Sequence, residues 1–303
     1  MNANLSSWSL VVSSLLLFAA VAQARDEESP LHLNLRSRVK APNGSSTPET
    51  VAEKKVEWDP KKTAIIVVDM WDDHWCKSAA KRVGEMAGPM NKALHIARGK
   101  GIFIIHAPSS VVNYYKDTPQ RKRAQAAPFA KTPVPLSTSE RWGTAWCWPD
   151  VTRESDLPLD DSDMGCDCKT KCTIREAWTR QISTVEIASA DAITDNGQEA
   201  YNLLQARGIE NVLLMGVHLN MCVLGRPVGI RQMVRLGKNV ALVRDLTDTM
   251  YNPDKKPQVS HFEGTKLVIE HVERHWCPSL NSSDFTGNRP FRFQGDSTHG
   301  RKA

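Results

Sequence analysis

The 303-residue sequence concentrates little charge of either sign. Its net charge is +5 and its basic residues are dispersed. No basic helix interleaved with aromatics appears, so nucleic acid is not indicated as a partner. Long hydrophobic runs are also missing. The apolar stretch Leu10–Val21 is too short to span a bilayer comfortably. No internal repeat is visible, which argues against a solenoid or propeller. No C-x-x-C pair marks a helix start, which disfavours a redox thiol protein. The cysteine-rich segment "CDCKTKC" has no histidine nearby and matches no standard zinc spacing, so no metal is expected there.

What is present is enough to build a core. Hydrophobic residues make up 41% of the chain and charged residues 24%, a globular composition. The first 24 residues read as a signal peptide. The apolar run ends in Ala22-Gln23-Ala24, a small-x-small cleavage pattern, although no Lys or Arg precedes the run. No cysteine lies near that point, which argues against a lipid-anchored form. The expected location is secreted or periplasmic, with no membrane attachment after cleavage. Seven cysteines (Cys76, Cys147, Cys166, Cys168, Cys172, Cys222 and Cys277) leave at least one thiol without an intrachain partner. Export permits disulfides, and local pairs within Cys147–Cys172 are the expected use of that cluster.

Residues 25–58 read as an extended or disordered leader, polar and Pro/Ser/Gly-bearing. Alternation of strands and helices fills 59–278. "TAIIVVD" is a continuous β-branched run, as in a strand buried on both faces. A helix follows, interrupted near Gly88-Pro89 and stopped by Gly99 to Gly101, and then the strand "IFIIHA". Residues 108–180, rich in Trp, Pro and Cys, form an irregular insertion after this second strand. Next come a strand at "STVEIA", a helix closed by Gly208, and the strand "NVLLMGV". A helix from about Cys222 to Leu236, the strand "NVALVRD" and a final helix complete the pattern, and 279–303 form a tail. Two sites, Asn43-Gly44-Ser45 and Asn281-Ser282-Ser283, fit the glycosylation pattern. The implied fold class is α/β: a three-layer, Rossmann-like open sheet, mainly parallel, with helices on both faces.

In such sheets ligands sit at the carboxyl ends of the strands. Here those ends carry Asp69, His106, Glu186, the segment "HLNMC" and Arg244-Asp245. Their convergence marks a candidate site, although each one alone is an ordinary loop residue. Cys222 holds the most informative position. At a helix start, free N–H groups and the helix dipole favour a thiolate and can hold an oxyanion. Asp69, one strand end away, can take the thiol proton. A buried spacer cysteine is the competing reading. Trp71 could stack on a flat ligand. His218 and Asn220 could face the ligand or simply hydrogen-bond their own turn, and His106 could line the pocket or sit in the core.

At these residues the chain resembles the isochorismatase-like cysteine hydrolases, which include nicotinamidases and N-carbamoylsarcosine amidase. "TAIIVVDMWDDHWC" is similar to that family's opening strand and aspartate, and "GIENVLLMGVHLNMCV" to its nucleophile turn. The resemblance covers roughly Lys62 to Cys277. It implies Cys222 as nucleophile, Asp69 as proton carrier, a cis bond at Val217-His218, and an oxyanion hole from backbone N–H groups near His218 and Cys222. It also implies a homo-oligomer and no cofactor.

Two departures stand out. The family's lysine should fall within Val185–Ser189, which reads "VEIAS" with Glu186 and no lysine. Arg180 or Lys116 could supply the cation; otherwise the chemistry differs or catalysis is lost. "IIHAPSS" also lacks the second histidine of metal-dependent nicotinamidases, so no metal is expected there. The expectation is a hydrolase of a C–N bond in a small amide-like substrate, through a thioacyl intermediate. The alternative is a non-catalytic binding or scaffold protein.

Overall fold

A computed structural model of the protein describes residues 29–41, 49–142 and 144–298. The expected signal peptide and the Asn43 sequon lie outside the described residues. Strands β1 (Leu31–Lys40) and β2 (Glu49–Trp58) precede β3 (Thr63–Val68), helix α1 (Lys77–Gly99) and β4 (Phe103–Ala107). Helix α2 (Pro119–Gln125) and the short strands β5 (Glu140–Arg141) and β6 (Thr144–Ala145) lie in the insertion. Then follow β7 (Ala192–Ile193), α3 (Gly197–Ala206), β8 (Asn211–Val217), α4 (Ile230–Arg235), β9 (Asn239–Asp248), α5 (His261–His275), β10 (Ser279–Leu280) and α6 (Ser283–Thr286).

Eight strands form one sheet in the order β2-β1-β10-β9-β8-β3-β4-β7. Pairing is parallel from β10 to β7, and antiparallel at β1–β10 and β1–β2. The central strands β3 and β8 are buried at every position, which their unbroken apolar runs require. Alternation splits β3 between two cores. Ala64, Ile66 and Val68 face the side that holds buried residues of α3, α4 and α5. Ile65 and Val67 face the side that holds those of α1. The three-layer α/β arrangement is therefore present, with the strand carboxyl ends on one rim.

Four sequence expectations are corrected. The described part of the leader is extended, as one of its two readings had it, but it belongs to the domain: β1 and β2 pair throughout, from Leu31 opposite Trp58 to Lys40 opposite Glu49. The alternation Leu31, Leu33, Leu35 buries one face against the second core, and burial of that face fixes the register. The tail likewise contributes β10 to the sheet, between β1 and β9. Helix α1 runs unbroken through Pro89, because Val83, Met86, Met90 and Leu94 pack on the sheet and outweigh the lost hydrogen bond. Finally, "STVEIA" is not a strand. The third parallel strand of the chain is the two-residue β7, paired to β4 at Ile105 and His106.

Candidate functional site

Two loops at the strand carboxyl ends, after β3 and after β8, bring Asp69, Cys222 and Arg226 together. Asp69 directly follows β3 in a left-handed conformation, φ 48°, which aspartate tolerates better than most residues. Its backbone N–H bonds Ala107 O, and its Oδ1 accepts the Ser109 N–H at 2.7 Å. The carboxylate is 1% exposed.

Cys222 lies beyond β8. A Cβ on Gly216 would sit 2.0 Å from Val68 O, so only glycine lets β8 approach β3 there. The Val217-His218 peptide is cis. The chain then makes one wide turn, Leu219–Val223, in which the Val223 N–H reaches His218 O at 3.1 Å. No long helix follows Cys222. Pro227 supplies no N–H and cuts the run, and α4 begins only at Ile230. The dipole expected to activate the thiol is correspondingly short.

The cation is Arg226, which the sequence reading missed. Its N–H bonds Cys222 O at 2.9 Å, setting it one turn beyond the cysteine. Its Nε lies 3.4 Å from Asp69 Oδ2, and Nη1 donates to Thr144 Oγ1 of the insertion. The guanidinium is 5.5 Å from the Trp146 ring centroid and is held protonated by Cys222 and Asp69 despite burial. The i, i+4 spacing from Cys222 was the available signal; the family's lysine position drew attention elsewhere. Of the two cations the sequence suggested, Arg180 is ruled out: it is exposed and bonds Tyr114 and Asp72 instead. Lys116 is exposed on the insertion.

Electrostatics favour a protonated thiol in the free site. Burial, and next the Asp69 charge, push Cys222 up to about 12, although Arg226 pulls the other way. Burial also raises Asp69, opposed by Arg226 and by hydrogen bonds from Cys222 and Ser109. The expectation of a pre-formed thiolate is therefore corrected. The trio holds Asp69 beside a neutral thiol and a fixed positive charge.

A cavity of about 580 Å³ opens onto Cys222 and Arg226. Trp71, Trp75, Trp142 and Trp178 supply aromatic surface, and His218 and Arg175 supply polar groups. Trp71 stacks on Trp178 at 4.3 Å and 10°, so that face is already covered within the protein. His218 lines the cavity, 2% exposed. Its Nε2 has no hydrogen-bond partner, and burial followed by the nearby His74 keeps it neutral.

The other expected pocket residues sit elsewhere. His106 is fully buried under the sheet rim, with Nδ1 2.9 Å from Gln181 Oε1 and Nε2 3.0 Å from Asp191 Oδ2. Glu186 is exposed on a loop, because the strand expected to carry it does not form. Asn220 pins two loops through Asp161 and both backbone groups of Met250. All seven cysteines are free thiols here, so the expected local disulfides are not formed.

No family model matches the sequence, and no curated protein matches it. Solved structures with a similar fold include a cysteine hydrolase from Pseudomonas syringae pv. phaseolicola 1448A (18% identity, TM-score 0.47, covering 77% of this chain and 95% of that one). An isochorismatase family protein from Burkholderia thailandensis is 12% identical, with TM-score 0.40 and coverage of 75% and 97%. N-carbamoylsarcosine amidase from Thermoplasma acidophilum is 15% identical, with TM-score 0.35 and coverage of 64% and 87%.

Proposed function

We propose that this protein is a cysteine-dependent hydrolase that cleaves a C–N bond in a small amide-like substrate, acting outside the cytoplasm after export. One observation carries this reading: Cys222 sits in an aromatic cavity with a buried carboxylate and a buried guanidinium beside it.

In this scheme Cys222 Sγ attacks the substrate carbonyl carbon as its proton passes to Asp69. Before transfer Arg226 faces a carboxylate; afterwards it faces sulfur and the developing oxyanion. The trio's net charge stays at zero, which reduces the cost of moving a proton in a buried site. Backbone N–H groups at His218 and Cys222 hold the oxyanion. Protonated Asp69 then donates to the leaving nitrogen, the C–N bond breaks, and a thioester remains. Water, deprotonated by Asp69, attacks the thioester and releases the acid and the thiol.

Arginine cannot shuttle a proton as a lysine can, so Asp69 carries every transfer and Arg226 acts by charge alone. The missing lysine had motivated a non-catalytic reading, and Arg226 weakens that motive. Substrates are expected to be flat and weakly polar, matching the tryptophan-lined walls.

The test is a screen of small amides and ureas with wild type and Cys222→Ala, alongside mass spectrometry of rapidly quenched reactions. Turnover should fall by at least about 10³-fold in the variant, and an acyl adduct should map to Cys222 in wild type. Equal turnover by the two proteins would refute the reading.

A further inference from the structure

Outside the Asp69–Cys222–Arg226 site, the described residues hold a knot of thiols where the insertion meets the start of α1. Cys76, Cys166 and Cys168 place their sulfurs within 4.8 Å of one another. Cys172, on the same segment, interacts with Cys166 and Cys168 but lies outside that close set. Cys76 immediately precedes α1 and is fully buried, and the other three come from the segment "CDCKTKC". In sequence the first ligand is remote from the rest, which is why spacing alone gave no metal pattern. The fold closes that gap.

We propose that Cys76, Cys166 and Cys168 bind one zinc ion, with Cys172 of the same segment closing on it as the fourth ligand, a structural site that ties the insertion wall of the cavity to α1. Cys76 and Cys168 sulfurs are 3.8 Å apart. A disulfide needs about 2.05 Å. A tetrahedron of zinc–sulfur bonds near 2.3 Å has edges of about 3.8 Å. The spacing therefore fits a shared ion.

The surroundings fit as well. The first N–H groups of a helix have no partners within it. Here Ser78 N–H points to Cys168 Sγ at 3.2 Å, and its hydroxyl lies 2.9 Å from the same sulfur. Such donors at one helix start offset the negative charge of clustered thiolates and orient them. The loop that carries the thiols is also fixed in place. Arg82 clamps Asp167, which lies between two of the cysteines, at 2.7 Å and joins it to buried Asp248. Gly165 packs so closely on Met250 that a Cβ would lie 2.3 Å from its carbonyl.

The benefit is local. Residues 164–178 contain no helix or strand, yet Met164, Ile174, Arg175, Glu176 and Trp178 form part of the cavity wall. Ordering such a segment costs conformational entropy, which a metal cross-link to a distant element offsets. Binding exchanges the thiol protons for the ion, so affinity should weaken in acid.

The experiment uses the full chain, purified reduced and without added metal. It combines elemental analysis, zinc titration after chelation, and the absorption spectrum after cobalt loading. About one zinc per chain is expected, together with the intense thiolate-to-cobalt band of a tetrahedral sulfur site. Cys166→Ser/Cys168→Ser should lose the metal, while Cys222→Ala and Cys277→Ser should keep it whatever their activity. Should the double variant misfold, the wild-type titration and cobalt spectrum decide alone. Reduced, folded wild type that takes up no zinc would overturn the proposal. So would thiol mapping of the isolated protein that finds these cysteines paired as disulfides.

Discussion

Replacing Arg226 with methionine removes the positive charge beside Asp69 and Cys222 while keeping much of the side-chain volume. At 3.4 Å and an effective dielectric of about 20, the attraction between Arg226 and Asp69 is about 5 kcal/mol. Burial already raises Asp69 and Arg226 opposes it, so in the variant the carboxyl holds its proton to higher pH and is a poorer acceptor of the thiol proton. We expect kcat/KM at pH 7 to fall by roughly 10²–10³-fold, with the acid limb of the pH profile displaced upward by more than about one unit. Part of the loss should return at alkaline pH. Arg226→Lys keeps the charge and should recover most of the activity. Stability gives an independent check. A carboxyl with a raised folded pKa binds its proton more tightly when folded, so its favourable effect is lost as pH rises through that pKa. The thermal stability deficit of Arg226→Met should therefore be small in acid and grow with pH. A variant with unchanged kcat/KM and an unmoved acid limb would refute the role given to Arg226.

Three further outcomes rest on packing and buried charge. Glu154 ties the insertion to α4 and α5 through Arg231, at 2.8 and 3.0 Å, and His271 at 2.9 Å. Burial works against its charge, but those bonds win and hold the carboxyl well below the usual range. Glu154→Gln should cost about 3–5 kcal/mol in denaturant titrations at pH 7. That contribution is full above about pH 4.3 and disappears as pH falls toward the lowered folded value, so the deficit should shrink in acid. Gly225→Ala would place a Cβ 2.3 Å from the Trp146 ring, next to Arg226, and should cost about 1–3 kcal/mol and reduce turnover together. Gly84→Ala, in open space on α1, should instead gain roughly 0.5–1 kcal/mol and leave turnover alone, as thermal melts and rate assays would show.

Continuous apolar runs made β3, β4, β8 and β9 legible, because a strand covered on both faces has no polar position to hide. The hairpin was overlooked because only one face of β1 is buried, and its alternation is diluted by charged residues on β2. β7 escaped because two residues carry no periodic signal. Asp69 and Cys222 could be placed at one rim from strand ends alone. Their cation carried only a weak signal, the i, i+4 spacing of Arg226 from Cys222, which points to the thiol only once the turn after β8 is known to be helical.

The order of hydrophobic runs, and the residues that follow each one, determined by themselves the α/β architecture, the rim at which chemistry would gather, and the Asp69–Cys222 pairing. Tertiary structure decided the protonation of the thiol, the identity of its counter-charge, and the meeting of Cys76 with the distant "CDCKTKC" segment. Strand burial is a short-range property that composition encodes directly. Electrostatics in a buried site depends on distances between groups far apart in the chain, and only the closed fold sets those distances.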